Sequence, residues 1–274
     1  MINRPFRLPH RLLTAVALTV AIAIGGCQKT PDANEAQTDT GTQDSTQDST
    51  QNSSQISDTQ LSQTTSTTNL AEQQAPLTIL ALGDSLTEGL GVDNDANYPA
   101  QLEARLQELG YKDIKVINSG LSGETSTGLV NRLDWVLQTK PDVTILTIGA
   151  NDAIRGIDVA TVEANIRTAV KRLQDNDSVV ILGGMQIYDN LGSDYVKSFA
   201  AIYPRVAKDM NVTLIPFFLD GVGGDPKLNQ ADAIHPTKEG YTLIVNNNIL
   251  PILQPELKKI NPSNVTNTPT ETAQ

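Results

Sequence analysis

From Leu77 to about residue 254 the chain alternates short apolar runs with amphipathic stretches, and this alternation constrains the fold more than any other feature. The apolar runs are Thr78–Leu82, Lys115–Asn118, Val143–Ile148, Val179–Leu182 and Thr213–Phe217. All but the first are rich in Val or Ile, as parallel strands covered on both faces tend to be. Between them the apolar residues recur with helical spacing. Leu102, Leu106 and Leu109 follow Pro99 and precede Gly110; Leu129, Leu133 and Val136 repeat the spacing. Val159, Val162, Ile166, Ala169 and Leu173 follow Asp158, a good N-cap. Val196, Phe199, Tyr203, Val206 and Met210 form a fourth stripe, which Pro204 should kink or split. A last helix is expected from Thr237 to Leu250, with Pro251 bending or ending it.

Such alternation predicts an α/β protein: a three-layer αβα sandwich around a flavodoxin-like parallel sheet of about five strands, in the order 2-1-3-4-5. Ligands in these sheets bind beyond the carboxyl ends of the strands, near the switch point. The pattern suits a nucleotide- or flavin-binding domain equally well. The chain carries neither a GxGxxG nor a GxxxxGK[ST] phosphate loop, which weighs against that reading.

Three unusual stretches each follow a strand: Gly83-Asp84-Ser85, Asn118-Ser119-Gly120-Leu121-Ser122-Gly123 and Gly149-Ala150-Asn151-Asp152. In the order 2-1-3, Ser85 sits on the middle strand's end, with Gly120 on one side and Asn151 on the other. Past the N-terminal segment the only histidine is His235, in Asp232-Ala-Ile-His235-Pro236. Serine, imidazole and carboxylate are the parts of a nucleophile, a general base and an orienting group. A serine that attacks a carbonyl creates an oxyanion, which requires donors close by. The backbone N–H groups of Ser85 and Gly120 and the side-chain amide of Asn151 are candidates. Glycine suits position 120 because a side chain there would keep substrate from the backbone. Asp84 and Asp152 compete with Asp232 as carboxylates and are read as turn-holding groups bonded to nearby backbone N–H. Trp135 is read as core.

Charge and cysteine content narrow the alternatives. The formal net charge of −11 disfavours a nucleic-acid partner, which requires a basic face. Cys27 is the only cysteine, so an internal disulfide scaffold is excluded and a Cys/His zinc site is implausible. The expected chemistry calls for no metal and no organic cofactor.

The chain begins with Arg4, Arg7 and Arg11, an uncharged apolar run from Leu12 to Ile24, and Ile24-Gly25-Gly26-Cys27. The run is short for a bilayer span, which takes about 20 residues, and has the form of a secretory signal. Its end resembles the bacterial lipobox. That resemblance implies cleavage before Cys27 and lipid attachment to it; a plain signal peptide or an uncleaved anchor are the alternatives. Residues 28–76 are dominated by Gln, Thr, Ser, Asp and Asn, with Lys29 facing seven acids. They cannot bury enough surface to offset their ordering entropy. As a flexible coil the segment would reach about 35–40 Å. The expected organisation is a signal peptide at 1–26, a lipid-anchored disordered linker at 27–76, a catalytic domain at 77–258 and a flexible tail at 259–274. Gln28 after Cys27 points by analogy with sorting signals to an outer membrane, facing the periplasm.

Gly83-Asp84-Ser85-Leu86, Gly120, Gly149-Ala150-Asn151-Asp152 and Asp232-Ala233-Ile234-His235-Pro236 resemble the blocks of the SGNH (GDSL) hydrolases. Asn118 to Thr125, Met185-Gln186-Ile187 and Ile215-Pro216-Phe217-Phe218 bring the chain nearest to the arylesterase, acyl-CoA thioesterase I and lysophospholipase branch. The resemblance implies Ser85 as nucleophile, His235 as base and then acid, and Asp232 as its orienter. It implies a small ester, a lysophospholipid or an acyl thioester as substrate. It also implies that the loop from Gln186 to Tyr195 covers the substrate, with Gly192 allowing movement. Ile154, Ile187, Tyr188 and Phe218 are candidates for an acyl pocket, beside Phe217 and Leu219. Two features depart from the branch: the long tether, and Thr87-Glu88-Gly89 where Ser-Ala-Gly is commoner. The rival readings are an esterase that removes acetyl groups from carbohydrate or cell-wall polymers, and a tethered binding lipoprotein without activity.

Overall fold

The computed structural model describes residues 76–260, apart from Lys112 and residues 189–190. The expected signal peptide, Cys27, the expected linker up to residue 75 and the residues beyond 260 lie outside the described residues.

Five parallel strands form one sheet in the order β2-β1-β3-β4-β5: β1 (Leu77–Gly83), β2 (Ile114–Gly120), β3 (Val143–Thr147), β4 (Val179–Gly183) and β5 (Thr213–Ile215). This is the order the alternation predicts. The side chains of β3 are buried throughout and those of β1 nearly so, because helices cover both faces of the central strands. Each fully buried Leu or Ile there stabilises the fold by about 1.5–3 kcal/mol. β2, at the edge, is only partly buried and carries polar residues. β5 stops two residues before the expected Phe217. Pro216 has no N–H to continue a ladder, and Phe218 instead donates its N–H to the Gly184 carbonyl at 2.8 Å.

One helical layer contains α2 (Tyr98–Glu108), α8 (Lys238–Leu243) and its continuation; the other contains α3 (Ser126–Val136), α5 (Val159–Gln174), α6 (Ser193–Ala200) and α7 (Ile202–Met210). Helix starts obey local chemistry. Asn97 accepts from the Ala100 N–H at 3.0 Å, with Pro99 in the first turn, and Asp158 accepts from Ala160 and Thr161. The stripe around Pro204 is split into α6 and α7 at Ala201, which places the proline in the first turn of α7. Two short helices, α1 (Ser85–Glu88) and α4 (Ala150–Ile154), directly follow β1 and β3.

Two expectations are corrected. Trp135 is 67% exposed. At 100° per residue it points away from the Leu129–Leu133–Val136 stripe, which is buried in the core. Pro251 does not end the last helix. Residues Ile244–Ile249 form a wider π-helical stretch, after which α9 (Leu250–Ile260) continues through Pro251 and Pro255. A π segment shifts the hydrogen-bond register, which accommodates the N–H that proline lacks. The expected domain limit at residue 258 therefore falls inside the last turn of α9.

Candidate active site

Register builds the site first. Gly83 is aligned with Gly120 on β2 and with Thr147 on β3, so the carboxyl ends of the three strands lie level. Asp84 then caps α1, its Oδ1 accepting from the Leu86 N–H at 3.1 Å. That cap makes Ser85 the first residue of the helix and puts its hydroxyl beyond the sheet edge. Below it, Thr87 Oγ1 lies 2.7 Å from Thr147 Oγ1, and Tyr241 donates to the Leu86 carbonyl at 3.0 Å. These buried bonds fix α1 against β3 and α8.

The histidine arrives from the other end of the domain. Its loop is folded on itself: Gln230 donates its N–H to the His235 carbonyl at 2.8 Å, and its side-chain amide donates to Pro236 and, at 2.7 Å, to the Leu90 carbonyl. The last bond ties the loop to the segment after α1. Ala233 takes the left-handed conformation (φ 60°), which turns the chain between Asp232 and His235. His235 Nε2 lies 2.8 Å from Ser85 Oγ, and His235 Nδ1 lies 2.6 Å from Asp232 Oδ2. Asp232 Oδ1 accepts from the Ile234 and His235 N–H groups at 2.9 and 3.0 Å. The hydrogen bond from the His235 ring, with these backbone bonds, holds the Asp232 carboxyl down to about 2. An ionised Asp232 keeps the proton on Nδ1 and turns the Nε2 lone pair toward Oγ. An imidazole so placed can accept the serine proton.

The donor candidates flank this pair. The Gly120 N–H donates to Asn118 Oδ1 at 2.9 Å, a bond within its own turn. The expected reason for glycine here is corrected. A Cβ at Gly120 would lie 2.0 Å from the Glu88 nitrogen, so the crowding partner is the backbone of α1 rather than substrate. Asn151 follows Gly149, which has φ of +120° and packs against the Tyr203 hydroxyl, itself bonded to the Ile148 carbonyl at 2.9 Å. The Asn151 amide lies 3.4 Å from Asp84 Oδ2, a long contact that leaves a second amide hydrogen for another acceptor.

Neither rival carboxylate touches His235. Asp84 is fully buried, and burial pushes its carboxyl up to about 6. Asp152 accepts the N–H and hydroxyl of Ser126 at 2.8 and 2.7 Å, so the backbone N–H it holds belongs to the start of α3 rather than to its own turn. Arg132 carries no sequence signal, and Glu124 stands in the Asn118–Thr125 block without a role of its own. The Arg132 guanidinium pairs with both Glu124 oxygens at 2.6 Å and reaches Ser119 Oγ and the Ser119 carbonyl at 2.7 and 2.8 Å. It thereby holds the end of β2 from beneath.

The acyl-pocket candidates divide. Phe218 is a core residue, packed edge-on to Tyr98 with ring centroids 5.3 Å apart, and is withdrawn as a pocket wall. Ile187 packs partly against the core. Ile154 and Tyr188 are exposed, and the Tyr188 hydroxyl donates to the Ala233 carbonyl at 2.9 Å. That bond brings the segment after β4 onto the Asp232–His235 turn. Gly192, at φ of 91°, caps α6, so Tyr195 belongs to that helix rather than to a loop.

A serine, a histidine and an aspartate linked in series at the carboxyl edge of a 2-1-3-4-5 parallel sheet define an αβα protein with a serine-hydrolase constellation. The chain belongs to the GDSL-like lipase/acylhydrolase family, whose model matches residues 81–243. It is 36% identical over 189 residues to "Esterase TesA" of Pseudomonas aeruginosa, covering 69% of this chain and 93% of that one. It is 32% identical over 170 residues to "Thioesterase 1/protease 1/lysophospholipase L1" of Escherichia coli K12, covering 62% and 80%. A solved esterase, EstA of Pseudoalteromonas sp. inhibited by monoethylphosphonate, superposes with a TM-score of 0.62 at 31% identity, covering 66% and 98%.

Proposed function

We propose that the chain is a serine ester hydrolase that cleaves carboxylic esters or thioesters through an acyl-enzyme on Ser85. The observation that carries this reading is the unbroken series Ser85 Oγ, His235, Asp232, with contacts of 2.8 and 2.6 Å. Ser85 Oγ attacks the carbonyl carbon while His235 Nε2 takes its proton. Asp232 stabilises the imidazolium so formed. The new oxyanion is received by the Ser85 N–H, the Asn151 amide and the Gly120 N–H, which exchanges its bond to Asn118 for one to the oxyanion. Collapse breaks the bond to the leaving alcohol or thiol, which takes the proton from His235. Water, activated by His235, then attacks the acyl-enzyme and restores Ser85 by the reverse route.

The relatives named esterase, arylesterase, thioesterase and lysophospholipase support aryl esters, lysophospholipids and acyl thioesters as the substrate range. The Ile24-Gly25-Gly26-Cys27 sequence supports attachment by a lipid on Cys27 at the cell envelope, and Gln28 after it supports the periplasmic side of an outer membrane. Metabolic labelling with a fatty acid should be lost in Cys27→Ala.

A fluorophosphonate probe tests the chemistry, and a phosphonate-inhibited relative makes it a suitable reagent. Wild type should label at Ser85 and Ser85→Ala should not. Absence of a Ser85 adduct in folded protein would favour the inactive binding lipoprotein. A profile over acyl length then sorts substrates: a sharp decline beyond acetyl would favour the carbohydrate deacetylase.

A further inference from the structure

Glu88 lies in the stretch where the chain departs from the family's commoner Ser-Ala-Gly, and its carboxylate and its carbonyl both bond the segment 118–122. It is the last residue of α1, the helix that Ser85 begins. Its Oε2 accepts the Ser122 N–H at 2.8 Å and the Ser122 hydroxyl. Its carbonyl accepts from the Asn118 side-chain amide at 3.2 Å. Its backbone nitrogen abuts the Gly120 Cα, where an added Cβ would lie 2.0 Å away. The segment 118–122 is thus gripped on both sides of Gly120 by one residue of the nucleophile's own helix.

We infer that Glu88 is a positioning residue for the oxyanion site, setting the Gly120 N–H relative to the Ser85 N–H. The inference rests on the esterase reading above. Arg132 holds the same segment from below, at Ser119, but does not touch its outer half; Arg155 reaches only Gly123, with a bond of 2.7 Å to its carbonyl. Glu88 is what joins that outer half to α1. Donors to an oxyanion act only when correctly placed as charge develops, so a slack donor lowers kcat and leaves ground-state binding alone. Alanine at position 88 would keep α1 and its packing on Gly120 but release Ser122. Glutamine would keep an oxygen acceptor in the same place without the charge.

The test is steady-state hydrolysis of a short-chain p-nitrophenyl ester by full-length wild type, Glu88→Ala, Glu88→Gln and Ser122→Ala, with Tm for each. Glu88→Ala should lose about 5–20-fold in kcat, less than the full loss of one donor, with KM within about twofold and Tm nearly unchanged. Glu88→Gln should recover most of the loss, and adding Ser122→Ala to Glu88→Ala should cost nothing more. An unchanged kcat in Glu88→Ala overturns the inference. So does a kcat that falls only in step with Tm, or a glutamine variant no better than alanine. An active wild type with an indifferent Glu88→Ala sinks this inference alone; an inactive wild type sinks the esterase reading and this inference with it.

Discussion

His235 Nε2 and Ser85 Oγ lie 2.8 Å apart although 150 residues separate them in the chain. The fold between them brings the His235 loop back to the end of the first strand. The Gln230 side chain makes the join direct, since it bonds both the His235 loop, at Pro236, and the Leu90 carbonyl just past α1.

Asp232→Asn should preserve the turn and remove the chemistry. An Asn Oδ1 can still accept the Ile234 and His235 N–H groups. Its NH₂ would then face Nδ1 and favour the tautomer with the proton on Nε2, pointing at Ser85. We expect kcat to fall by about 10³–10⁴, with near-native circular dichroism and Tm. A fall below tenfold would show that Asp232 does not set the tautomer.

Gly120→Ala should be a stability variant before it is a kinetic one. The added methyl would lie 2.0 Å from the Glu88 nitrogen and 2.6 Å from the Thr87 carbonyl carbon, and both are backbone. Overpacking of this kind costs about 1–3 kcal/mol. Urea denaturation should show a lower midpoint with an unchanged slope; a midpoint equal to wild type would mean that α1 moves aside freely.

Arg132→Ala strands a buried carboxylate. The Glu124 side chain is 3% exposed and loses both hydrogen bonds from the guanidinium. Removing one partner of such a pair costs about 3–5 kcal/mol. Arg132→Ala with Glu124→Gln should recover part of that loss, because a neutral amide is cheaper to bury. Equal stability of the single and double variants would contradict the pairing.

The pH dependence of stability should carry the mark of Asp84. Its folded value of about 6 lies above the ordinary 3.8 because burial disfavours the anion. Below about pH 4 both folded and unfolded chains hold the proton, and nothing is lost. As pH rises from 4 to 6 the unfolded chain ionises first, so this group progressively destabilises the fold, by about 3 kcal/mol once both are ionised. Asp84→Asn should therefore gain on wild type as pH rises from 4 to 7 in denaturation series. A difference that stays flat over that range would remove Asp84 as the source.

The alternation of apolar runs and helical stripes by itself determined the layered fold and the strand order. Parallel strands buried on both faces leave a short-range signature, and right-handed crossovers leave few ways to connect them. The residues of the site were legible too, because glycine-rich turns after strands and a solitary histidine stand out against the rest of the chain. Tertiary structure alone decided what surrounds them. That Arg132 and Glu88 brace the Gly120 segment and that Phe218 belongs to the core depend on contacts between elements far apart in the chain. Such contacts obey distance and burial in three dimensions, and no local period or spacing encodes them.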